Sequence, residues 1–535
     1  MRCVGEIGLK QGLVLDLGEP KDSFHRALVS SQTEIKFAVE SGCKPTLLEG
    51  TGDGARQTSN YETIYFDTDN LDLRRHQLEL YVRNRDGRVT QKIKTRAENV
   101  QAYQCQEILL SDLQPNLAHA RVLLPPNVRA LISPSALKPR FCTRFSRISR
   151  EFTNDACVTR ISFDEGHIEA MGRSESISEV RLKLKGGKLD SYTSKCLSFL
   201  AEVPAALLLE SKATRGYRLA ACELPRAVSA PPFALPWNLP LPEAILGILR
   251  HSFKHCLDNY PAVTLSGEPP SIHQMRVAMR RLRSAIRMFS PVLCLDGAKD
   301  LFGTLRGVFT KLGEVREADV FVGETLPLIT GAGLGEKLEA VLRTEITTFR
   351  GGAYREVCGE LTSPNFARMI IQLNNWIEGA SWLKSDRPID VLLLERTAED
   401  FAVPRIRALH SKLLKSGSKA RSGTLDDWHR TRIAAKKLRY AGEPLFDALA
   451  PKTEPAKLSK QLSRLQTSLG RLNDLQTITP FLARVRPNVQ GRNRRNFEDA
   501  EQFCRGWSGA AVATRVDQAK DAMKGFEKIR LDVFA

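Results

Sequence analysis

The stretch that most constrains this chain is IHQMRVAMRRLRSAIRMF, residues 272–289. At about 100° of rotation per residue in an α-helix, Met275, Met279, Leu282, Ile286 and Phe289 share one arc. His273, Arg276, Arg280, Arg283 and Arg287 share the next. The first arc is a core stripe. The second is a ladder of basic side chains with no carboxylate to offset it. Such a ladder either lies in solvent or meets an extended anion. Residues 428–445, WHRTRIAAKKLRYAGEPL, repeat the pattern: His429, Arg432, Lys436 and Arg439 keep the spacing of His273, Arg276, Arg280 and Arg283, 156 positions on. A further pair, LGEVRE at 312–317 and LGRLND at 469–474, is offset by 157. The chain therefore contains an internally duplicated helical unit, and a duplicated ladder points to an anion site more specifically than a single one. Glu443 replaces Arg287 in the second copy, so that ladder ends a turn earlier, while Arg281 and Lys437 lie well round the helix and read as solvent-facing. His273 and His429 are either anion contacts or helix-start residues that hydrogen-bond across the bundle.

Length and charge agree with this reading. A chain of 535 residues has room for two to four domains. Of the formal net charge of +18, residues 241–535 carry +13, from 46 Lys and Arg against 33 Asp and Glu. That excess favours polyanionic partners: nucleic acid, an anionic membrane or a phosphate polymer. Eleven cysteines without a C-x-x-C pair read as reduced thiols of an intracellular protein. Residues 1–30, an N-terminal extension, carry Glu6, Asp16, Glu19 and Asp22 and lack the apolar run of a secretory signal. No stretch approaches the roughly 20 apolar residues of a membrane span. A cytoplasmic location is expected.

From residue 32 the pattern has period two, with strands expected at 32–39, 62–67, 78–83, 88–94, 103–110, 140–151, 156–164 and 178–185 and a turn at Asp86-Gly87. So many antiparallel-looking strands suggest a barrel or sandwich. Their polar faces are unusually charged, as in SEVRLKLK at 178–185; either these faces meet solvent or they converge on an anion inside a barrel. Six prolines within 223–243 mark a stiff linker at 221–241. Beyond it, amphipathic stretches run to residue 530, over about 243–260, 270–290, 298–330, 335–358, 364–380, 393–415, 426–448, 455–485 and 492–530.

Together these residues resemble the CYTH–CHAD two-domain proteins. Residues 242–530, with repeats at about 242–390 and 391–530, are similar to a CHAD domain through IHQMRVAMRRLRSAIRMF, LGEVREADV, RIRALHSKLLKSG, HRTRIAAKKLRY and LGRLNDL. The resemblance implies an all-α pair of bundles that binds inorganic polyphosphate, gripped here by His273, Arg276, Arg280, Arg283, Arg287, His429, Arg432, Lys436 and Arg439. Guanidinium forks suit phosphate oxygens, and counterion release makes such binding salt-sensitive. Residues 31–220 resemble a CYTH domain, the triphosphate-tunnel fold, through TEIKF, YFDTDNLDLRRHQLELYVR, FDEGHIEA, ISEVRLKLK and SKATRGYRLA. The implied architecture is α+β: an N-terminal antiparallel β-barrel followed by duplicated all-α bundles. Active members of that family hydrolyse triphosphates or cyclise ATP with a divalent metal.

The resemblance assigns phosphate binding in the barrel to Lys36, Arg83, Lys94, Arg144, Lys185 and Lys212. The acidic set is depleted. Gln32 stands where the first Glu of E-x-E-x-K belongs, Tyr103-Gln104-Cys105-Gln106-Glu107 replaces R-x-E-x-E, and Arg181 and Lys183 replace two glutamates of E-x-E-x-E-x-K. Tyr81 stands where an Arg is expected. Glu34, Glu107 and Glu179 remain as residual ligands for Mg²⁺ or Mn²⁺. Each added lumen cation repels each unit charge of a divalent ion by about 4 kcal/mol at 4 Å and an effective dielectric near 20, so metal binding is expected to be weak or absent and catalysis impaired. The leading expectation is a polyphosphate-binding protein whose partners are inorganic polyphosphate or triphosphate, with association to polyphosphate or storage granules implied by the family. The alternative is a metal-dependent triphosphatase that uses the helical half as a tether. Nucleic acid ranks below both, since the ladders lack interleaved aromatics to stack bases.

Overall fold

The computed structural model describes residues 34–40, 54–95, 107–116, 118–120, 124, 126–130, 136–154, 156–233, 235–236, 238–295, 298–383, 394–446, 455–491 and 493–529. The extension at 1–30, the Gln32-Thr33 start of the first motif and the Tyr103–Gln106 segment lie outside them.

The N-terminal half forms one antiparallel sheet of nine strands: β1 (Glu34–Ala38), β2 (Gln57–Asp67), β3 (Leu78–Arg85), β4 (Arg88–Thr95), β5 (Glu107–Leu109), β6 (Lys138–Asn154), β7 (Cys157–Ala170), β8 (Arg173–Gly187) and β9 (Ala206–Leu207), in the order β5-β4-β3-β2-β6-β7-β8-β1-β9. The Asp86-Gly87 turn has φ of 52° and 90°, the left-handed pair that a tight hairpin needs. Met171-Gly172 form a second such turn, with φ of 50° and 74°. It lets β7 and β8 run beyond the expected 156–164 and 178–185 to pair along their whole length.

The expected barrel is a curled sheet rather than a hydrogen-bonded ring. Among the described residues the edge strands β5 and β9 do not pair with each other. The curl still encloses a cavity lined from both ends of the strand order, by Lys36 on β1 and Lys94 on β4. Two of the helices in this half are α3 (Leu189–Glu202) and α4 (Lys212–Ala221), after the short α1 (Asp72–Arg75) and α2 (Pro126–Arg129).

The second half is helical: α5 (Leu241–Leu265), α6 (Pro269–Phe289), α7 (Lys299–Val320), a π-helical turn at Phe321–Thr325, α8 (Leu326–Gly331), α9 (Glu336–Leu361), α10 (Pro364–Glu378), α11 (Ala398–Arg421), α12 (Leu425–Gly442), α13 (Pro455–Val485) and α14 (Asn493–Glu527). The amphipathic stretches read from the sequence overlie these helices, because each carries an apolar stripe at helical spacing. On α6, Met275, Met279, Leu282, Ile286 and Phe289 are all at most 8% exposed. The ladder helices α6 and α12 pack against each other, so the repeats meet along their basic faces.

The Pro-rich linker is docked on α5. Asn259 accepts from the Val228 amide at 2.9 Å and donates to the Val228 carbonyl at 2.8 Å, and Phe233 stacks on His251. The halves also meet at α3 and α10, where Thr193 donates to Asn375 at 3.0 Å and Asn375 donates to Asp190 at 2.9 Å. One hydrophobic core runs from Phe37, Val180 and Phe199 into the helices. No described helix is long and apolar enough to cross a membrane.

Candidate functional site

The two ladders converge. His273, Arg276 and Arg280 from α6, and Arg432 and Lys436 from α12, line a single cavity of about 560 Å³ with Arg316 from α7 and Arg484 from α13. The lining holds six Arg or Lys side chains and three carboxylates, Glu314, Glu317 and Asp474. Among the described residues, Arg276, Arg280, Arg432 and Lys436 form no salt bridge. Their contacts are with neutral groups: Arg276 donates to the Phe309 carbonyl at 3.1 Å, and Arg280 reaches across the repeats to the Tyr440 hydroxyl at 2.8 Å. The Nε atoms of Arg276 and Arg432 are buried without a hydrogen-bond partner, a cost that an anion accepting from them would remove.

Crowding of like charge shows in the titration of these groups. Burial, then Arg432, Arg280 and Arg276, push the Lys436 ammonium down to about 7. Burial, then Arg280 and Arg316, push Arg276 down to about 10. Burial raises the Asp474 carboxyl above its usual range although Arg432 opposes it. Lys436 and Arg276 therefore hold their protons less tightly than free side chains do, an effect that a bound polyanion would reverse.

Local sequence explains the fit. Gly313, in the first LGEVRE motif, lies under Arg276; a Cβ there would sit 2.5 Å from an Arg276 Nη atom. Phe309 underlies the ladder, with Arg276 and Arg283 at 4.7 and 4.6 Å from its ring centroid. Phe321 and Phe481, which also line the cavity, pack on each other with centroids 5.3 Å apart.

Four ladder residues do not line this cavity. Arg283 stays on Phe309, Arg287 is exposed, and Arg439 donates to Gln466 at 2.9 Å. His429 contacts Asn473 at 3.0 Å and so braces a cavity residue across the bundle. Arg281, read as solvent-facing, is half-buried and 3.9 Å from Glu443. Arg316 and Arg484 were not singled out from the sequence. Arg316 lies within LGEVRE, so its motif was visible; Arg484 has no counterpart in the repeat to betray it.

The sheet half holds a second charged cavity, of about 240 Å³. Lys36, Arg83, Lys94 and Lys212 line it as expected, joined by Arg147 and Arg181. Arg144 is on the other face of β6: the lumen positions are Thr143, Phe145 and Arg147, and Arg144 bridges Glu62 and Glu169 outside. Strand alternation is the reason, since Phe141, Thr143 and Phe145 are the buried series. Lys185 is exposed; β7 pairs Val158 with Gly186 and Thr159 with Leu184, so Lys185 falls in a β-bulge that turns it out of the series.

Three of the six cations lining this cavity, Arg147, Arg181 and Lys212, are paired with acids. Lys212 binds Asp164 at 2.6 Å and also contacts Glu179, and Arg215 reaches Glu179 at 3.3 Å. Burial would raise the Asp164 carboxyl, but hydrogen bonds from Arg147 and the charge of Lys212 hold it down to about 2. Arg83 donates to Thr63 at 3.0 Å, and Lys36 to the Glu210 carbonyl at 2.8 Å. Burial lowers the Lys36 ammonium from its usual range.

Of the carboxylates proposed for a metal, Glu34 and Glu179 line the cavity and Glu107 does not. Glu34 faces Arg181 at 3.5 Å, Glu179 is shared by Lys212 and Arg215, and Glu107 pairs with Lys92 at 2.8 Å outside the cavity. Glu79, which the sequence reading did not single out, also lines the cavity, opposite Lys94 in register. Among the described residues no three His, Cys, Asp or Glu side chains group as a metal site. With a cation against each of the three, this donor set does not fit a divalent ion.

Fold and cavities together define a two-domain protein: a curled antiparallel sheet around a charged lumen, joined to a duplicated helical module with a basic cavity between its repeats. The chain carries a CYTH domain, matched by that family's model over residues 31–217, followed by a CHAD domain, matched over residues 247–483. Its helical half is similar to the CHAD domain of the plant Ricinus communis, at 27% identity over 57% of this chain and 98% of that one, with a TM-score of 0.49. Its sheet half is similar to a putative adenylyl cyclase from Hippeastrum described as having a dominant triphosphatase activity, at 17% identity over 36% of this chain and 96% of that one, with a TM-score of 0.25. A putative adenylate cyclase from Bacillus halodurans matches at 20% identity over 34% of this chain and 95% of that one, with a TM-score of 0.23.

Proposed function

We propose that this protein binds inorganic polyphosphate in the cavity between the two helical repeats, with the sheet domain holding shorter phosphate anions and hydrolysing them poorly or not at all. The working boundaries are 31–220 for the sheet domain, 221–241 for the linker and 242–530 for the helical domain. The observation that carries the reading is the meeting of Arg276, Arg280, Arg432 and Lys436 in one cavity, none of them in a salt bridge among the described residues. Buried cations in that state are costly, and a polyphosphate chain supplies the missing charge. The ligand set is His273, Arg276, Arg280, Arg432 and Lys436, with Arg283, Arg287 and Arg439 as outer contacts and His429 as a brace. Granule association in a cell would follow from the same affinity.

The test is calorimetric titration of the full chain with long-chain polyphosphate across a salt series. Affinity should fall steeply with salt, and the fourfold variant R276E/R280E/R432E/K436E should lose binding altogether. Undiminished binding by a folded fourfold variant would remove the cavity as the site. Single-stranded RNA should compete weakly, because the cavity phenylalanines are engaged in packing.

A second reading, a metal-dependent triphosphatase, would have to use Glu34, Glu79 and Glu179, the three acids that line the sheet cavity. It predicts phosphate release from tripolyphosphate with Mg²⁺ or Mn²⁺, abolished by Glu34→Gln; absence of release leaves the binding reading alone.

A further inference from the structure

At the edge of the helical cavity the charge pattern changes. Arg484 on α13 is ion-paired with Glu317 on α7, a contact between the two repeats. Arg316 is 2.9 Å from Glu324, which sits on the π-helical turn Phe321–Thr325. Both arginines line the cavity, yet both are paired with a carboxylate, unlike the four cations deeper inside. The pairs are open to water: the side chains are 47% and 33% exposed for Arg484 and Glu317, and 23% and 62% for Arg316 and Glu324. Exposed pairs of this kind contribute little and exchange readily. π-helical turns of the sort carrying Glu324 are rare and frequently found at functional sites.

Resting on the binding function proposed above, we infer that Arg316 and Arg484 are further polyphosphate contacts, held in place by Glu324 and Glu317, whose carboxylates stand in for phosphate oxygens until the polyanion displaces them. A guanidinium that binds a carboxylate by its fork binds a phosphate by the same donors, so the exchange needs no new donor geometry. Because Glu317–Arg484 spans the repeats, its opening also frees one repeat from the other at the cavity edge. The ligand class is a phosphate polymer long enough to reach from the deep cations to this edge.

The test is a double-mutant cycle on the full chain, read by calorimetric titration with long-chain polyphosphate. Arg484→Gln should weaken binding by about tenfold, the usual scale for losing a charged hydrogen bond. Glu317→Gln should tighten it by about threefold through removal of the competitor. In the Arg484→Gln background the Glu317→Gln gain should shrink to that of Glu314→Gln, since the competitor then has nothing to release and only the loss of a cavity charge remains. Glu314→Gln is the control: it removes an equal charge from the same cavity, and among the described residues Glu314 is in no ion pair. Its effect should persist undiminished in the Arg484→Gln background. Equal and additive gains from Glu317→Gln and Glu314→Gln would overturn the inference and leave only a general field effect. Failure of the wild-type chain to bind polyphosphate would instead overturn the function on which it rests.

Discussion

Two cavities of this molecule have the same formal inventory, six Arg or Lys side chains and three carboxylates among the lining residues, and differ in which of those charges are paired. In the sheet cavity the acids touch the bases: Glu179 and the buried Asp164 clasp Lys212, and Glu34 faces Arg181. In the helical cavity Arg276 and Arg280 donate to neutral groups, and among the described residues neither they nor Arg432 and Lys436 form a salt bridge. Counting charges therefore does not identify a grip; pairing does. Cations already neutralised by neighbours hold the fold, whereas unpaired buried cations weaken the fold and favour whatever anion arrives.

The sharpest way to break this contrast is one chemical change made in both places. Lys212→Met should destabilise the chain by about 3–5 kcal/mol, because it leaves the buried carboxylates of Asp164 and Glu179 undercompensated. Lys436→Met should stabilise it by about 1–3 kcal/mol at pH 6, because it replaces a crowded buried cation by an apolar chain of similar shape. Denaturant unfolding of both variants measures the two signs; equal signs would dissolve the distinction.

Acidity sharpens it further. Lys436 falls from 10.5 to about 7 in the fold, so between those values the unfolded chain binds more protons, and wild-type stability rises with pH from about 7 toward 10.5. The advantage of Lys436→Met over wild type should be largest below pH 7 and fade above it. Polyphosphate binding, which favours the charged amine, should take up a proton and weaken as pH climbs past 7. Lys436→Arg should flatten that dependence. Titrations in buffers of different ionisation enthalpy report the proton uptake.

The smallest effect is at Gly313. Gly313→Ala should stabilise α7 by up to about 1 kcal/mol through helix propensity, yet weaken polyphosphate binding a fewfold by pushing Arg276 off its seat. Thermal melts and titration together separate the two. Loss of both stability and affinity would mean that the glycine serves packing rather than the ladder.

Much of the architecture was legible in the chain. Periodicity marked most of the strands and every long helix of the second half, though not α3 at Leu189–Glu202, and the repeated spacing marked α6 and α12 as a pair. Within the site, His273, Arg276, Arg280, Arg432 and Lys436 were legible because helical spacing fixes which side chains share a face. Arg144 shows the limit. On a strand a displacement of one residue changes faces, and nothing short of the buried Phe141, Thr143, Phe145 series told which parity looked inward. Lys185 shows another, since a bulge shifts a residue out of an otherwise regular alternation.

By itself the sequence determined the two families, the duplication and the surplus of cations over acids, because these are properties of spacing and composition. Only the tertiary structure decided which charges meet. Glu179 with Lys212 is 33 residues apart in the chain and Glu317 with Arg484 is 167, and no local pattern encodes such contacts. Coulomb energy depends on separation in space and on the water left between groups, and both are set by how helices and strands pack. The ladder of α6 was written in its own 18 residues. That its inner rungs would face the second ladder across one cavity, while Arg484 met a glutamate at the edge, was written in the fold.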